Sequence, residues 1–572
     1  MESGLLTATD CAFVRNRSLG GTGGSLSGNS VGAGGSALGG AIYSASGQLV
    51  LNNCLFSLNK SQGGDAGIGN GLGGNSAGGA LCLDGGVATL LGCQFITNSA
   101  VGGRGSRQAT VGPGQAGSAR GGALVNNGGT ISIENCSLLG NSVRTGTDSA
   151  VYPLNVRGGG IEQSAGSLDI QQCLIRGNVA ETGVGVAGGG GYGPSGHAFG
   201  GGIYFGGGSL RVTSSTLADN SAIGGRATQR TGQRPGSGFG GGICSTGSLS
   251  LVNCTLTGNE ARSGQGSTDF VTGGGYGGGL HQSGGLAELV HVTFAGNGAF
   301  GSAPVALQQG GAIWTASSQT RLLNTLLANS PSGSNAFGAL IDGGGNLSSD
   351  ASGNFTAPGS LNNTAPILGP LADYGGPTPT MALLAGSPAI DAGLPANCIA
   401  TDQRGVARPF GAGCDVGAFE SAAPYTVLGR ITGYVPPAGS ATVGSGLLSA
   451  VADAAGLYAL HGLTPGAHVL SPASSNAVFL PKTRMVNIVA DTLGIDFHSY
   501  RTNALVIERL GAGHLRNLFA GEAAASYSVE SSLGLFNWAY HTNLTTDADG
   551  LVSWTETNSP APSGRFFRVR RP

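Results

Sequence analysis

Charged residues are scarce in this sequence. Asp, Glu, Lys and Arg make up 10% of its 572 residues, the formal net charge is −2, and the only lysines are Lys60 and Lys482. Nucleic-acid-binding proteins carry enough Lys and Arg to neutralise several phosphates, and anionic membranes attract clustered basic residues. We therefore expect neither nucleic acid nor an anionic membrane surface among the partners of this protein.

Long apolar runs are also missing. The sequence has no stretch of about 18 apolar residues, the length that a membrane-spanning helix needs, so we predict no transmembrane segment. The first residues, MESGLLTATDCAFVRN, lack the basic and apolar parts of a signal peptide. They align instead with LVLNNCLFSLN at 49–59, the second half of a repeating phrase. We expect that the chain begins inside a repeat and that its N-terminus is truncated.

Glycine, in contrast, is abundant, with 111 residues. It shows no Gly-X-Y period, which excludes a collagen triple helix, and a hydrophobic content of 40% is enough to bury a core. The chain repeats itself at intervals of about 40 residues. Each copy ends in an asparagine, and these are Asn16, Asn59, Asn98, Asn141, Asn178, Asn220, Asn259, Asn297 and Asn329.

Within each copy, apolar and polar residues alternate in two short runs. In one copy Leu249 and Leu251 flank Ser250, and the same alternation follows around Thr255. A period of two predicts strands with one face inward, and runs this short favour coils that stack through parallel pairing. We predict an all-β fold, a right-handed single-stranded parallel β-helix over residues 1–335. It has about nine coils, Asn and Gly at the corners, and Gly-rich inserts.

One register of the repeat holds a cysteine in six copies, namely Cys11, Cys54, Cys93, Cys136, Cys173 and Cys254. The same slot holds Ser215, Val292 and Asn324 in other copies. A disulfide framework or a metal ladder would not accept Ser or Val in its middle, so we interpret the column as small interior side chains. No CxxC motif or zinc-type Cys/His spacing occurs. The phrase GGxI…NCxFxxN resembles the repeat of polymorphic outer-membrane proteins and related right-handed β-helix surface proteins.

Residues 336–422 differ from the repeats and carry LGPLADYGGPTPT, GSPAIDAG, TDQRGVARP and CDVGAFE in this order. They resemble the choice-of-anchor Q domain, which closes β-helix regions in many exported bacterial proteins, and the resemblance implies export and a surface role. We expect this capping region to continue the β-helix. Cys398 and Cys414 are the best disulfide candidates, a pairing that presumes an oxidising compartment. We interpret the charges of this segment as a structural network that caps the last coil, formed by Asp391, Asp402, Arg404, Arg408, Asp415 and Glu420.

Two further β-domains are predicted. Residues 423–500, with YTVLGRITGYV, AGLYAL and GLTPG, resemble the carboxypeptidase regulatory-like sandwich of transthyretin type, a spacer or binding module without peptidase residues. Residues 501–572 carry alternating strand patterns that flank DADG and are similar to a small C-terminal module of exported bacterial proteins. Both domains fit a modular, all-β chain.

Aromatic residues recur at two places in the repeat. The residue after Gly-Gly-x-Ile points outward by alternation, and we identify a candidate glycan-contact column there, namely Tyr43, Tyr204, His281 and Trp314. Phe199, Phe239 and Tyr276 each precede a Gly triplet, and we expect them to stack as a ladder that seals the base of an insert. We interpret the inserts themselves as solvated Gly/Ser loops, with a binding face along one edge as the alternative.

The evidence for catalysis in the sequence is thin. Glycoside hydrolysis needs two nearby carboxylates. The outward column offers only Asp169 beside Arg211, and His281 and His291 share a copy with Glu288 without a recurrent motif. We assign no catalytic, cofactor or metal residue, and a weak calcium-loop match at GGDAGIGNG does not recur at the required period.

The sequence favours an exported bacterial cell-surface or extracellular structural or adhesion protein. Its repeated surface would contact a glycan or a protein. The alternative is a carbohydrate-binding or polysaccharide-degrading protein, a lyase or a hydrolase.

Overall fold

The computed structural model describes residues 2–24, 32–67, 71–105, 115–146, 154–183, 195–227, 235–266, 273–302, 307–316, 320–384, 386–421, 425–433, 441–446, 448–463, 466–488, 492–501, 504–510, 514–520, 524–532, 537–547, 551–556 and 566–571. By its internal contacts the chain divides into two units, Met1–Ala422 and Ala423–Pro572. Within the described ranges the regular elements are β-strands and two 3-10 turns, Ala351–Gly353 and Pro395–Asn397. The all-β prediction is confirmed, and no helix in these ranges is long and apolar enough to span a membrane.

The first unit is a parallel β-solenoid whose coils pass in turn through five parallel sheets, which we name A to E in the order that the chain enters them. Sheet A has ten strands: Leu5–Thr9, Gln48–Asn52, Val87–Leu91, Thr130–Glu134, Ser167–Gln171, Ser209–Thr213, Ser248–Val252, Ala287–Val290, Thr320–Leu323 and Leu340–Asp342. Sheet B also has ten: Ala12–Val14, Leu55–Ser57, Gln94–Ile96, Ser137–Leu139, Leu174–Arg176, Thr216–Ala218, Thr255–Thr257, Thr293–Ala295, Leu326–Ala328 and Leu347–Ser348. The predicted stacking of coils through parallel pairing is confirmed.

The other three sheets are built in the same way. Sheet C has eight strands: Arg17–Leu19, Lys60–Gln62, Ser99–Val101, Ser142–Arg144, Val179–Glu181, Ser221–Ile223, Glu260–Arg262 and Gly298–Phe300. Sheet D has eight: Ala37–Leu38, Ser76–Ala77, Ala119–Arg120, Val156–Arg157, Ala198–Phe199, Gly238–Phe239, Gly274–Tyr276 and Leu307–Gln309. Sheet E has nine: Ile42–Ser44, Leu81–Leu83, Leu124–Asn126, Ile161–Gln163, Ile203–Phe205, Ile243–Ser245, Leu280–Gln282, Ile313–Thr315 and Ala336–Phe337.

The main core lies between sheets A, B and E. Along Gln48–Asn52 the buried side chains are Leu49 and Leu51, as the alternation predicts. Phe56 and Phe95 stack between neighbouring coils with their ring centroids 4.7 Å apart. Burying one such aliphatic or aromatic side chain contributes about 1.5–3 kcal/mol, and every coil adds several, so the stack supplies the stability of the first unit.

The cysteine column lies in this core. Cys54, Cys93, Cys136, Cys173 and Cys254 are buried free thiols, and Cys11, in the first coil, is exposed. Ser215 fills the same slot and accepts a hydrogen bond at 3.0 Å from the backbone N–H of Cys173. The interpretation as small interior side chains is confirmed, except that Thr325, which accepts from the backbone N–H of Val292, fills the slot where we had placed Asn324.

The repeated asparagines form a second internal column. Asn59, Asn98, Asn141, Asn178, Asn220, Asn259 and Asn297 are fully buried. Each side-chain carbonyl accepts hydrogen bonds from the backbone and side-chain N–H groups of the asparagine one coil earlier, as Asn98 does from Asn59 at 3.0 and 2.9 Å. Left-handed corners lie at the residue before the cysteine slot, such as Asn53 and Asn253 with φ near 50°, and at the residue before each buried asparagine, such as Thr97 with φ 52°. Our assignment of corners to asparagine is therefore right for the first position and for Asn329, with φ 55°, and wrong for the buried column.

The bases of the inserts between sheets C and D are ordered. Glycines of outgoing and returning segments alternate in one hydrogen-bonded stack, in which Gly103 N–H donates to Gly74 at 2.8 Å and Gly117 N–H donates to Gly103 at 2.9 Å. A Cβ on Gly117 would lie 1.8 Å from the carbonyl oxygen of Gly74, so only glycine fits. The interpretation of the inserts as solvated loops is wrong for these bases, and their tips lie outside the described residues.

Residues 343–421 complete the first unit. Leu361 pairs with Leu347 of the last coil, and the strands Leu368–Ala372 and Thr380–Leu383 form an antiparallel pair. The residues that follow pack against the outer face of sheet B, where Ala382, Val416 and Phe419 share a core with Leu326 and Leu347. We call residues 366–421 the cap.

The second unit consists of four small sheets. Tyr425–Gly433, Leu457–Leu463, Ala477–Leu480, Thr492–Leu493 and Phe497–Arg501 form one, and Ala441–Ser445, Leu448–Val451, Gly466–Ser474 and Arg484–Ile488 form another. Ala504–Leu510, His514–Ala520 and Leu551–Glu556 form the third, and Ser526–Ser532, Ala539–Thr545 and Phe566–Arg570 form the fourth. Most pairs are antiparallel; Tyr425–Gly433 also has two parallel partners. The boundaries of the predicted domains stay predictions.

Candidate functional site: the groove between sheets D and E

The solenoid has a concave corner where the outer faces of sheets D and E meet. Between the two strands of each coil stands a glycine with positive φ, such as Gly78 or Gly200. A Cβ on Gly200 would lie 2.2 Å from the carbonyl oxygen of Ile203, so glycine alone allows this tight corner. Side chains of the two sheets therefore meet in a groove that follows the solenoid axis.

At one end this groove is lined by aromatic rings, which we call the aromatic seam: Phe199, Tyr204, Phe239, Tyr276, His281, Trp314 and Phe337. Rings on sheet D stack between coils, with Phe199 and Phe239 centroids 4.9 Å apart and Phe239 and Tyr276 centroids 5.0 Å apart. The predicted ladder is confirmed. Sheet E contributes His281 stacked on Trp314 at 4.3 Å.

The predicted exposure of the glycan-contact column is largely wrong. Tyr204 is 9% exposed and His281 is 6% exposed, whereas Tyr43 and Trp314 are half-buried. The side chains do point away from the main core, but the rings of sheet D cover them. Phe199 meets Tyr204 edge-on at 6.1 Å, and Phe239 meets His281 at 5.1 Å. Alternation along a strand cannot reveal a neighbouring sheet that folds back over the outer face.

The other end of the groove is polar. Tyr43 donates a 2.6 Å hydrogen bond to Asp84, whose other oxygen accepts one at 2.6 Å from Asn127. Arg120 donates to Asn127 at 3.2 Å and to Ser164 at 3.1 Å. This polar chain crosses four coils and ends at Glu162, which accepts a 2.7 Å hydrogen bond from Ser164.

Glu162 is the most unusual group in the groove. Its side chain is fully buried, and its Oε2 lies 3.5 Å from Arg120 without a hydrogen bond to any described residue. Burial raises the pKa of this carboxyl group, and the guanidinium groups of Arg120 and Arg157 oppose that rise. Arg157 also lies over the Tyr204 ring, 5.0 Å from its centroid. The polar end therefore joins directly to the aromatic seam.

The orientation of the rings determines what the groove can bind. Stacked rings turn their faces towards each other along the solenoid axis, so mainly their edges border the groove. Phe337, at the end of the series, is 41% exposed and lies 6.4 Å from Trp314. A ligand would meet apolar edges at one end and hydrogen-bonding and charged groups at the other, which suits an extended molecule with both hydroxyl and apolar surface.

Sequence reasoning identified part of this groove. It found the two aromatic columns but missed Asp84, Arg120 and Arg157, although Arg120 and Arg157 occupy the register of Phe199 in sheet D. It also assigned no role to Glu162. The sequence signal that could have revealed them is their position in the repeat. Asp84 directly follows a strand of sheet E, and Arg120 and Arg157 lie within strands of sheet D.

The other residues considered for catalysis do not converge. Asp169 and Arg211 pair in register on the exposed face of sheet A, where Arg211 donates to Thr213. Glu288 is exposed on the same sheet, whereas His281 lies in the groove and His291 is buried under the cap. A cleft of about 610 Å³ borders sheet C, and three of its four charged side chains, Arg144, Glu181 and Arg262, are in ion pairs, while Arg226 is the fourth.

The six charged residues assigned to capping form one network, in which Asp391 is exposed and the other five are buried or half-buried. Arg404 pairs with Asp402 at 2.8 Å and Arg408 with Glu420 at 2.8 Å. Backbone N–H groups link the rest, since Asp415 accepts from Asp391 and itself donates to Glu420. The predicted position across the end of the last coil is wrong, because Gly417 and Ala418 of this segment bond to Asn324 and Thr293 on the flank of the coils.

Cys398 and Cys414 are both free thiols in the structure. Their sulfur atoms and a ring nitrogen of His291 all lie within 4.8 Å of one another. The disulfide pairing stays a prediction.

Comparisons with protein-family models, with curated proteins and with solved structures find no match for this chain.

Proposed function

We propose that this protein is an exported adhesion protein of the bacterial cell surface or extracellular space, and that the groove between sheets D and E is its contact surface. The observation that carries the proposal is the continuity of this groove, which runs from Tyr43 to Phe337 along all nine strands of sheet E. A linear binding surface of this kind suits a linear ligand, and we propose an extended glycan. Export rests on the resemblance of residues 336–422 to a module of exported proteins.

The chemistry of the groove supports a glycan over an apolar ligand. Arg120, Asp84 and Asn127 offer charged and amide groups that match sugar hydroxyls, while the apolar ring edges offer van der Waals contact to the C–H groups of the sugars. The rigid sheets fix these groups before binding, which lowers the entropic cost of association. Several equivalent coils also let a long polymer make more contacts than a short one.

The test is a glycan array with a polysaccharide pull-down on the full chain, with and without calcium. Arg157→Ala and Phe337→Ala remove groups at the surface of the groove, and we expect each to weaken retention by at least about tenfold, as for central contact residues. Arg211→Ala on the exposed face of sheet A is the matched control and should retain the glycan. Affinity should rise with the length of the oligosaccharide.

Three results would contradict the proposal. The first is a lack of retention of any glycan, and the second is equal retention by the groove variants and the unmodified protein. The third is release of shorter products, which would make the protein a polysaccharide-degrading enzyme and direct attention to Glu162 and Asp84. Glu162→Gln would then retain the polymer without cleaving it, because a raised pKa suits a carboxyl group that donates a proton.

A further inference from the structure

Three potential metal ligands meet where the cap packs on the solenoid. His291 lies at the corner between Ala287–Val290 of sheet A and Thr293–Ala295 of sheet B. Cys398 follows the 3-10 turn Pro395–Asn397, and Cys414 lies in the later part of the cap. Ligand atoms of all three residues lie within 4.8 Å of one another. Zinc bonds of about 2.0–2.3 Å in a tetrahedron place such atoms about 3.3–3.8 Å apart, so the cluster needs to contract by about 1.5 Å at most.

His291 is oriented as a ligand. Its Nδ1 lies 3.3 Å from the carbonyl oxygen of Gly417, which assigns the proton to Nδ1. Its Nε2 accepts a 3.1 Å hydrogen bond from the side-chain nitrogen of Asn324, which also lies 3.8 Å from Cys414 Sγ, so the Asn324 amide has to turn away when Nε2 binds a metal. A backbone carbonyl that holds one ring nitrogen while the other faces the site is the usual support for a metal-binding histidine.

The charge balance of the cluster also fits a metal. Cys398 is half-buried and gives access from solvent. Two thiols that lose their protons to a divalent cation leave a neutral centre, which suits a buried position near Arg408.

The histidine itself argues against a simple disulfide. The same corner position holds Asn53, Asn135, Asn253 and Asn324 in other coils, all with φ near 50°. Asparagine therefore satisfies the corner, and Asn253 and Asn324 also bond to the cap. A disulfide between Cys398 and Cys414 would need no histidine here, whereas a metal uses it as the third ligand.

We propose that His291, Cys398 and Cys414 bind one zinc ion. These three side chains leave one of the four positions of a tetrahedral zinc ion open. Because the histidine belongs to a coil and the cysteines to the cap, the ion joins the two parts of the first unit. Because the zinc ion binds only when the cap is packed on the coils, it stabilises the cap against separation from the coils.

The test uses the full chain, purified with a reductant and stripped of metal. We expect it to bind one Zn²⁺ per chain by metal analysis after dialysis, and Co²⁺ in its place to show the visible absorption of a tetrahedral thiolate site. His291→Asn keeps the corner residue of neighbouring coils, and we expect it to weaken Zn²⁺ binding by at least about tenfold in competition with a chelator. Cys414→Ser should abolish the thiolate-to-cobalt absorption.

Cys254→Ser is the matched control, because Cys254 is a buried thiol outside the cluster and serine fills its slot in the neighbouring coil. It should bind Zn²⁺ as the unmodified protein does. The proposal fails if the reduced chain binds no Zn²⁺, or if His291→Asn binds it with unchanged affinity. Failure to bind Zn²⁺ combined with a Cys398–Cys414 disulfide in the oxidised protein would assign the pair to that bond instead.

Discussion

The first five coils and the next four have the same core but different outer surfaces. We call them the uncovered and the covered coils. In the uncovered coils the outward residues of sheet B, such as Leu55, Gln94 and Ser137, are exposed or half-buried. In the covered coils Thr216, Thr255, Thr293 and Leu326 are buried beneath the cap. The repeat dictates the inside of every coil, whereas the partner that packs against a coil dictates the residues on its outside.

The covered coils use threonine to bind the cap. Thr255 donates a 2.7 Å hydrogen bond to the side-chain carbonyl of Gln403, and Thr293 accepts one at 2.9 Å from the backbone of Ala418. Gln403 also donates to Thr216 at 2.8 Å. These hydroxyl groups bond to polar groups of the cap, which is an irregular segment. Valine or leucine at the same positions would leave those polar groups unpaired.

The largest effect in this comparison is expected at Arg408. Arg408→Ala leaves the carboxylate of Glu420 buried without its cation, and we expect a loss of about 3–5 kcal/mol in the free energy of unfolding of the first unit. Urea unfolding followed by circular dichroism measures this loss. Arg176 of the last uncovered coil and Asp219 of the next coil form an exposed pair at 2.9 Å, so Arg176→Ala should cost about 1 kcal/mol or less. Equal losses in the two variants would show that the buried ion pair of the cap adds no more stability than an exposed ion pair.

A smaller effect is expected at the threonine contacts. Thr255→Val keeps the volume of the side chain but leaves Gln403 without one of its partners, and we expect a loss of about 1–3 kcal/mol. Ser137→Val at the equivalent position of an uncovered coil should change stability by about 0.5 kcal/mol at most. Urea midpoints of the two variants give the comparison directly. If both variants lose the same free energy of unfolding, the loss comes from removal of the outward hydroxyl group itself and not from its contact with the cap.

Much of the fold follows from the sequence for a physical reason. Leu49, Leu51 and Cys54 repeat because every coil presents the same strands to the same core, so one alternation pattern predicts nine of the ten strands of sheet A. The corner residues follow only in part: Asn and Gly tolerate positive φ at little cost, but Gln172 and His291 occupy the same corner in other coils.

The groove and the cap could be predicted only in part. Tyr204 and His281 point outward, as alternation requires, yet sheet D covers them, because the sharp corner at Gly200 or Gly277 turns that sheet back over sheet E. The flank position of the cap depends on pairings such as Thr255 with Gln403, which are 148 residues apart. Local patterns carry no information on such distant contacts.

A pH-dependent difference is expected near the end of the solenoid. Burial alone would raise the pKa of Asp342, but the backbone N–H of Ala357 and the side chains of Asn346 and Ser360 outweigh it, and the pKa is lowered. The carboxylate therefore contributes stability above the unfolded pKa of about 3.9, and this stability is lost as the pH falls through the lowered value. Asp342→Asn should cost about 1–2 kcal/mol at pH 7 and less at pH 2. Urea unfolding at both pH values tests this, and an undiminished loss at pH 2 would contradict it.

The smallest effects are expected inside the core, where the covered and uncovered coils are alike. Cys93→Ser and Cys254→Ser each place a hydroxyl in a slot where Ser215 already donates to the Thr213 carbonyl at 2.7 Å and accepts from Cys173. Because both partners of the hydroxyl exist in every coil, we expect each substitution to cost about 1 kcal/mol or less. The two costs should agree whether or not the cap covers the coil. A clear difference between them in urea unfolding would show that the cap alters the packing of the core and not only the outer surface.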